Sequence, residues 1–281
     1  MKAAAFDYLQ ADSVGQAVAL LGRHGDSAKL LAGGQSLLPA LNLRLSAPAL
    51  LIDIGRIASL RGIAVAGGVL RIGATVTHAE LLASPEIASY APLLTRAIAH
   101  VAHAAIRNRG TMGGSLANAD PAAELPACAL ALGARILIEG PAGPRVVAAE
   151  DFFIGLFETV MAPAEVLVAV EIDLSPGAAW GFEELSRRSG DYAIVGLAAH
   201  RPRHGAPRLA YFAVGTSAIL ARHAAVALAQ RGATPEGIAA AEAALADDLE
   251  PHDDPEASAA MRLHLARVLL RRVVGPWSRT A

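Results

Sequence analysis

The sequence predicts an α+β fold, on three observations. Segments with helical period are interleaved with short strand-like runs, without the steady βαβ rhythm of a doubly wound sheet. Two pairs of strand-like runs are joined by glycine-bearing turns, at Gly67-Gly68 and at residues 140–143, which mark antiparallel hairpins. After residue 215 the strand signals stop and three helical segments close the chain.

In chain order, Asp12 or Ser13 is placed to cap a helix running through Val14, Ala17, Val18 and Leu21, with Gly22 and Gly25 near its end. The apolar run 29–32 reads as a buried strand and stops at Gly33-Gly34-Gln35-Ser36. Residues 37–45 follow as a helix with Pro39 in its first turn, where a missing N–H is tolerated. Residues 49–54 are strand-like, and 63–74 form a hairpin across Gly67-Gly68. Helical period resumes over 78–82 and from 85 to about 105. An irregular stretch at 107–115 precedes a helix expected over 121–132 and a strand over 135–139. The last strand of this half covers 166–174. Ser175-Pro176-Gly177 marks a boundary. Beyond it, strands are expected over 192–200 and 209–215, then helices beginning near Ala218, Thr234 and Pro255. Proline after Thr234 is a good helix start.

Composition narrows the function. The 281 residues are 54% hydrophobic and 18% charged, which describes a packed globular chain and excludes a disordered one. Mean hydropathy is +0.41, but alanine supplies much of it, and no apolar stretch reaches the roughly 18 residues a spanning helix needs. Asp7 interrupts the N-terminus before any apolar core of a signal peptide develops, so the expected compartment is the cytoplasm and no integral membrane segment is expected. A net charge of −2 with scattered basic residues argues against nucleic acid. Cys128 is the single cysteine, so this chain cannot ligate an iron–sulfur cluster through thiolates or close an intrachain disulfide.

The chemistry-bearing features are two Gly-Gly segments, each leaving an apolar run and each followed by a hydroxyl: Ala32-Gly33-Gly34-Gln35-Ser36 and Thr111-Met112-Gly113-Gly114-Ser115. A diphosphate needs converging backbone N–H donors and room for its oxygens. Glycine provides both, because it lacks Cβ and tolerates positive φ. Neither segment is a G-x-G-x-x-G fingerprint or a P-loop, and a Gly-Gly pair taken singly is usually a turn. Read this way, both segments are open loops whose amides grip one pyrophosphate from two sides.

The strings AGGQSLLP at 32–39, IDIGRI at 52–57, RNRGTMGGSLANADPAAELP at 107–126 and RRSGDYAIVG at 187–196 resemble the FAD-binding medium subunit of molybdenum hydroxylases, in order and over nearly the whole chain. The resemblance implies a flavin domain of the vanillyl-alcohol-oxidase (PCMH) type over 1–175, with subdomains at about 1–57 and 58–175. A smaller α+β C-terminal flavoprotein domain would occupy 176–281. It implies non-covalent FAD, with Ala32, Gly33, Gly34, Gln35 and Ser36 forming one half of the pyrophosphate cradle and Thr111, Met112, Gly113, Gly114 and Ser115 the other. Asn118 and Asp120 would contact ribose or ring. Glu124 would approach the FAD, Leu167 would touch the flavin, and Tyr192 would lie near the isoalloxazine. No catalytic residue and no metal ligand is assigned to this chain. A large molybdenum-binding subunit and a small subunit with two [2Fe–2S] clusters are implied as partners, in a dimer of heterotrimers.

The chain also departs from the family pattern. Gln35 stands where many relatives have histidine, and Glu183 and Glu184 occupy a neighbourhood where some carry lysine, which bears on the flavin potential. His100 and His103 sit three apart on an expected helix without a third ligand, so a surface role outweighs metal binding. Arg107 and Arg109 either offset phosphate charge or pair with acids or a partner; Cys128 reads as a small core residue. Against the electron-transfer subunit stand two alternatives: a self-contained flavin oxidase of the same fold, and a scaffolding subunit without cofactor.

Overall fold

The computed structural model describes residues 2–280 and builds them from three main sheets and twelve helices. The first part contains β1 (Asp7–Gln10), α1 (Val14–His24), β2 (Ala28–Leu31), α2 (Leu37–Asn42) and β3 (Leu50–Asp53). These strands form a parallel sheet in the order β1-β3-β2. Strand β1 was not anticipated; its four residues carry no alternation, and it exists because Asp7 to Gln10 lie in register beside Leu50 to Asp53. Ser13, not Asp12, caps α1 by accepting from the Gln16 N–H, while the Gln16 side chain accepts from the Asp12 N–H at 2.6 Å.

The second part runs through β4 (Ile63–Ala66), β5 (Val69–Gly73), α3 (His78–Ala83), α4 (Pro85–Tyr90), α5 (Pro92–His100), α6 (Ala104–Arg107), α7 (Met112–Asn118) and α8 (Glu124–Leu132). It continues with β6 (Arg135–Gly140), β7 (Gly143–Ala148), α9 (Ala149–Phe152), β8 (Phe153–Gly155), β9 (Glu158–Thr159) and β10 (Val166–Asp173). Its antiparallel sheet has the order β4-β5-β10-β6-β7, and both hairpins fall where the glycine turns place them. The single helix expected over 85–105 is three. Pro92 has no N–H to continue α4, and Ala102, at φ +40, breaks the chain between α5 and α6.

The C-terminal part has β11 (Ala179–Leu185), β12 (Val195–Arg201), β13 (Arg208–Phe212) and β14 (Ile219–Leu220), forming one antiparallel sheet in that order. It ends with α10 (Arg222–Arg231), α11 (Pro235–Asp248) and α12 (Ala259–Val274). Strand β11 is a second element not anticipated. Helices α10 and α12 start four residues later than expected, since Ile219 and Leu220 join the sheet and Ser258 is the cap of α12.

Two apolar clusters hold this together. One joins the first and second sheets without a break, through α1, α3, α5 and α8. The other lies between the C-terminal sheet and α10, α11 and α12. Helix α8 is the hinge of the packing: from Leu125 to Leu132 every residue is buried, and the helix touches α5 and α7 on one side and β12 and β13 on the other. A helix apolar all round needs cover on every face.

Candidate functional site

The first glycine motif is an open turn between β2 and α2. Gly34 has φ +75, which L side chains rarely adopt. Gly33 has a different reason to be glycine: a Cβ there would lie 2.1 Å from the Arg109 carbonyl oxygen and 2.9 Å from Gly110 Cα. The Gln35 side chain folds back and donates to the Gly33 carbonyl at 3.1 Å, which braces the turn. Among the described residues, the backbone N–H groups of Gly33, Gly34, Gln35 and Ser36 have no protein acceptor, and the Ser36 side chain makes no capping bond to α2.

The second motif is built differently, and this corrects the open-loop reading. Thr111 caps α7 by accepting from the Gly114 N–H at 3.1 Å. The Met112 N–H donates to Val76 O at 2.9 Å, the Gly113 N–H to Ala74 O at 2.8 Å, and the Ser115 N–H to Thr111 O at 3.0 Å. The amides expected to grip a phosphate are therefore engaged within the protein. Gly113 is glycine for contact, since a Cβ would sit 2.7 Å from Ala74 Cβ. The segment keeps the Thr111 N–H, the Ser115 hydroxyl and the Asn118 side chain without a protein partner.

His78, which the sequence reading did not single out, supports this motif from below. Its N–H donates to Gly110 O at 2.9 Å, and its Nε2 lies 3.2 Å from Thr111 O. Burial holds its pKa down at about 4, so the ring is neutral. No motif signalled it; it shows only in the isolated bridge between Thr77 and Thr111.

Of the remaining candidates, Asp120, Glu124 and Tyr192 interact with one another. Asp120 accepts from the Ala122 N–H at 2.9 Å and interacts with Tyr192. Desolvation, then the charge and hydrogen bond of Asp120, raise the Tyr192 phenol pKa, although its ring is 73% exposed. Glu124 opens α8, and burial pushes its carboxyl up to about 8, with Glu184 and Asp120 adding to the rise. Leu167 is only 4% exposed and belongs to the apolar core; its neighbour Val168 meets the second motif's support, accepting from the Ala74 N–H at 2.9 Å. Tyr192 also borders a cavity of about 610 Å³ lined by Pro121, Arg187, His252 and Arg262, which neither glycine motif reaches.

Other open readings close here. Arg107 donates to the carbonyls of Val101 and Ala102, at 2.8 and 3.0 Å, so it stabilises a bend and not a phosphate. His100 lies 3.4 Å from Glu184 and His103 packs against Gly190, and among the described residues there is no group of three His, Cys, Asp or Glu side chains placed to hold a metal ion. Cys128 is buried in α8, where desolvation raises its thiol.

The two glycine motifs thus meet at Gly33, and the first of them is open. Residues 4–174 match the FAD binding domain in molybdopterin dehydrogenase, and 180–276 match the CO dehydrogenase flavoprotein C-terminal domain. This chain belongs to that family of FAD-binding medium subunits. It is 39% identical to the 6-hydroxypseudooxynicotine dehydrogenase complex subunit alpha of Paenarthrobacter nicotinovorans, covering 98% of this chain and 95% of that one. It is 38% identical to the carbon monoxide dehydrogenase medium chain of Hydrogenophaga pseudoflava, covering 98% of each. A carbon monoxide dehydrogenase structure from that organism superimposes over 100% of both chains with a TM-score of 0.96, and quinoline 2-oxidoreductase from Pseudomonas putida 86 over 98% and 97% with 0.91 at 40% identity. The medium subunit is thus an FAD-binding oxidoreductase subunit whose flavin domain is followed by a C-terminal domain. Among the described residues no helix is long and apolar enough to cross a membrane.

Proposed function

We propose that residues 32–36 receive the FAD diphosphate, and that the chain passes electrons from the [2Fe–2S] clusters of a partner subunit to an external acceptor. The observation that carries this reading is the contact of the two motifs: Gly33 lies directly against the Arg109 carbonyl and Gly110. The donors available for the diphosphate are the free amides of Gly33, Gly34, Gln35 and Ser36 together with the Ser36 hydroxyl. Ala32, at the turn's entry, faces Gly114 across the junction. From the second motif, the Thr111 N–H, Ser115 hydroxyl and Asn118 amide complete the donor set, while Met112, Gly113 and Gly114 fix its backbone.

Asp120, Glu124 and Tyr192 then border the ring. Tyr192 covers it, Glu124 presents a neutral carboxyl able to donate a hydrogen bond near pH 7, and Leu167 backs the apolar wall. FAD supplies the exchange between one-electron and two-electron chemistry; the protein supplies orientation and potential. No nucleophile is required of this chain. The proposed assembly adds a large molybdenum subunit and a small iron–sulfur subunit, in a dimer of heterotrimers in the cytoplasm.

The test is FAD affinity. The double variant Ser36→Ala, Ser115→Ala removes two hydroxyl donors to a charged group and is expected to weaken FAD binding about a hundredfold, at roughly 1.5 kcal/mol per charged hydrogen bond. FAD fluorescence titration of the refolded apoprotein reads this directly. Undiminished affinity, or a correctly folded chain that never binds flavin, overturns the reading.

A further inference from the structure

Glu184 on β11 is a buried acid without a cation. Its side chain is 3% exposed, Oε1 lies 3.4 Å from His100 Nδ1, and Oε2 is buried with no hydrogen-bond partner. Its neighbours explain the isolation. Opposite it on β12 is Gly196, whose missing side chain is filled by the Phe212 ring. Glu183, next to it, turns away to pair with Arg272 at 2.7 Å. From α8 the facing groups are the carboxyl of Glu124 and the thiol of Cys128, both coupled to Glu184. From α5 the facing group is His100, tilted against Phe182. A buried carboxyl with no cation beside it holds its proton, and burial pushes Glu184 up to about 7 and Glu124 to about 8. Burial lowers His100, with the charge of Glu183 working against that.

The order of exposure along these groups is directional. The His100 side chain is 45% exposed and reaches water. Glu184 is sealed, Glu124 is half-buried and feels its charge, and beyond Glu124 stand Asp120 and the exposed Tyr192. Helix α5 packs on both α8 and β11, which keeps the three elements in one place. Electrons delivered by iron–sulfur clusters bring no protons, whereas reduction of a flavin ring consumes them. We infer that His100, Glu184 and Glu124 form a proton relay from the surface of α5 to the flavin pocket. This rests on the placement of the flavin beside Glu124 proposed above.

The steps balance as proton transfers alone. A water proton enters His100 at Nε2, and the Nδ1 proton passes to Glu184 Oε1. Once Glu124 has given up its own proton, the acid proton held by Glu184 leaves from Oε2 and refills Glu124 through one buried water, since no protein group lies within hydrogen-bond distance of Oε2. Glu124 releases its proton to the ring as the electron pair arrives, and reoxidation returns protons by the same route. Groups with affinities near the working pH suit this transfer in both directions.

The experiment uses the assembled, FAD-loaded complex and the variants Glu184→Gln and His100→Gln. Glutamine preserves the shape of Glu184 while removing its titratable proton. Flavin reduction by a photochemical one-electron donor is expected to slow at least about tenfold in both. Added imidazole should restore the rate in His100→Gln, a recovery that a packing defect does not show. Infrared spectra should contain a protonated-carboxyl band that disappears as pH rises through about 7 to about 8, and that Glu184→Gln diminishes. Flavin-loaded variants reduced at the wild-type rate overturn the relay while leaving the FAD site standing. A wild-type complex without flavin removes the site itself. Loss of FAD from Glu184→Gln together with an unchanged rate in His100→Gln also overturns the relay.

Discussion

The two Gly-Gly motifs read alike as strings and are built to opposite designs. Around Gly34 the backbone is open, turns through positive φ and leaves successive amides unengaged. Around Gly113 and Gly114 the backbone has normal helical φ, and every amide from Met112 to Ser115 already has an acceptor. In the first motif glycine serves mainly to turn the chain; in the second it serves to let two segments touch. A double glycine therefore signals that a side chain is forbidden without saying whether torsion or contact forbids it.

The sharpest break of that contrast is Gly33→Val, because Gly33 is where the designs meet. Its Cβ would collide with backbone at 2.1 Å, which no rotamer relieves. We expect loss of bound FAD and destabilisation of about 3 kcal/mol or more, read from flavin content and urea midpoint. Gly113→Ala is the contact-only counterpart. Overpacking against Ala74 should cost about 1–3 kcal/mol while the protein that remains folded keeps most of its FAD affinity, since its amide is not a free donor. Should Gly113→Ala abolish flavin binding in a protein as stable as wild type, the division between the motifs fails. Gly34→Ala is the mainly torsional counterpart: about 1–2 kcal/mol of strain is expected from φ +75, its Cβ would meet only the movable side chains of Leu31 and Leu38, at 3.1 to 3.3 Å, and its effect on FAD affinity should exceed its effect on the urea midpoint.

Acidity separates the supports of the two regions. His78 and His200 have folded values of about 4 against 6.5, so the unfolded chain takes up protons first and stability falls as pH drops through that interval. Glu124 and Glu184 sit at about 8 and about 7 against 4.5, so the folded chain keeps protons the unfolded chain has released, and stability falls as pH rises. The two trends oppose each other between 4.5 and 6.5, and above 6.5 the acids act alone. Urea midpoints should decline from pH 6.5 to 8, and Glu124→Gln should flatten that decline by about 2 kcal/mol. An unchanged slope in that variant would place the alkaline loss elsewhere.

Much of the fold was legible because its signals are local. Ser13 and Thr234 cap helices through their own side chains, and the hairpins carry their glycines at the turn. Strands β1 and β11 were not legible, because each is defined by the strand it lies against and carries no pattern of its own. The site divided in the same way. Gly33 and Gly34 stand out in the sequence, but the engaged amides of the second motif depend on Ala74, Val76 and His78, whose carbonyls and ring arrive from an unrelated turn. Glu183 and Glu184 stand in the sequence as two alike acids where some relatives carry lysine; only the packing of α5 over β11 separates the two.

Helix α8 carries one more implication, for how this chain can be cut. It belongs by sequence to the flavin half, yet half its circumference is roofed by β12 and β13. A fragment ending before Ala179 would bare a greasy cylinder from Leu125 to Leu132 and would aggregate instead of behaving as a free-standing flavin module. The two halves are wedded in the finished molecule, and gene fusions or swaps that respect the sequence boundary but not this helix should yield insoluble protein.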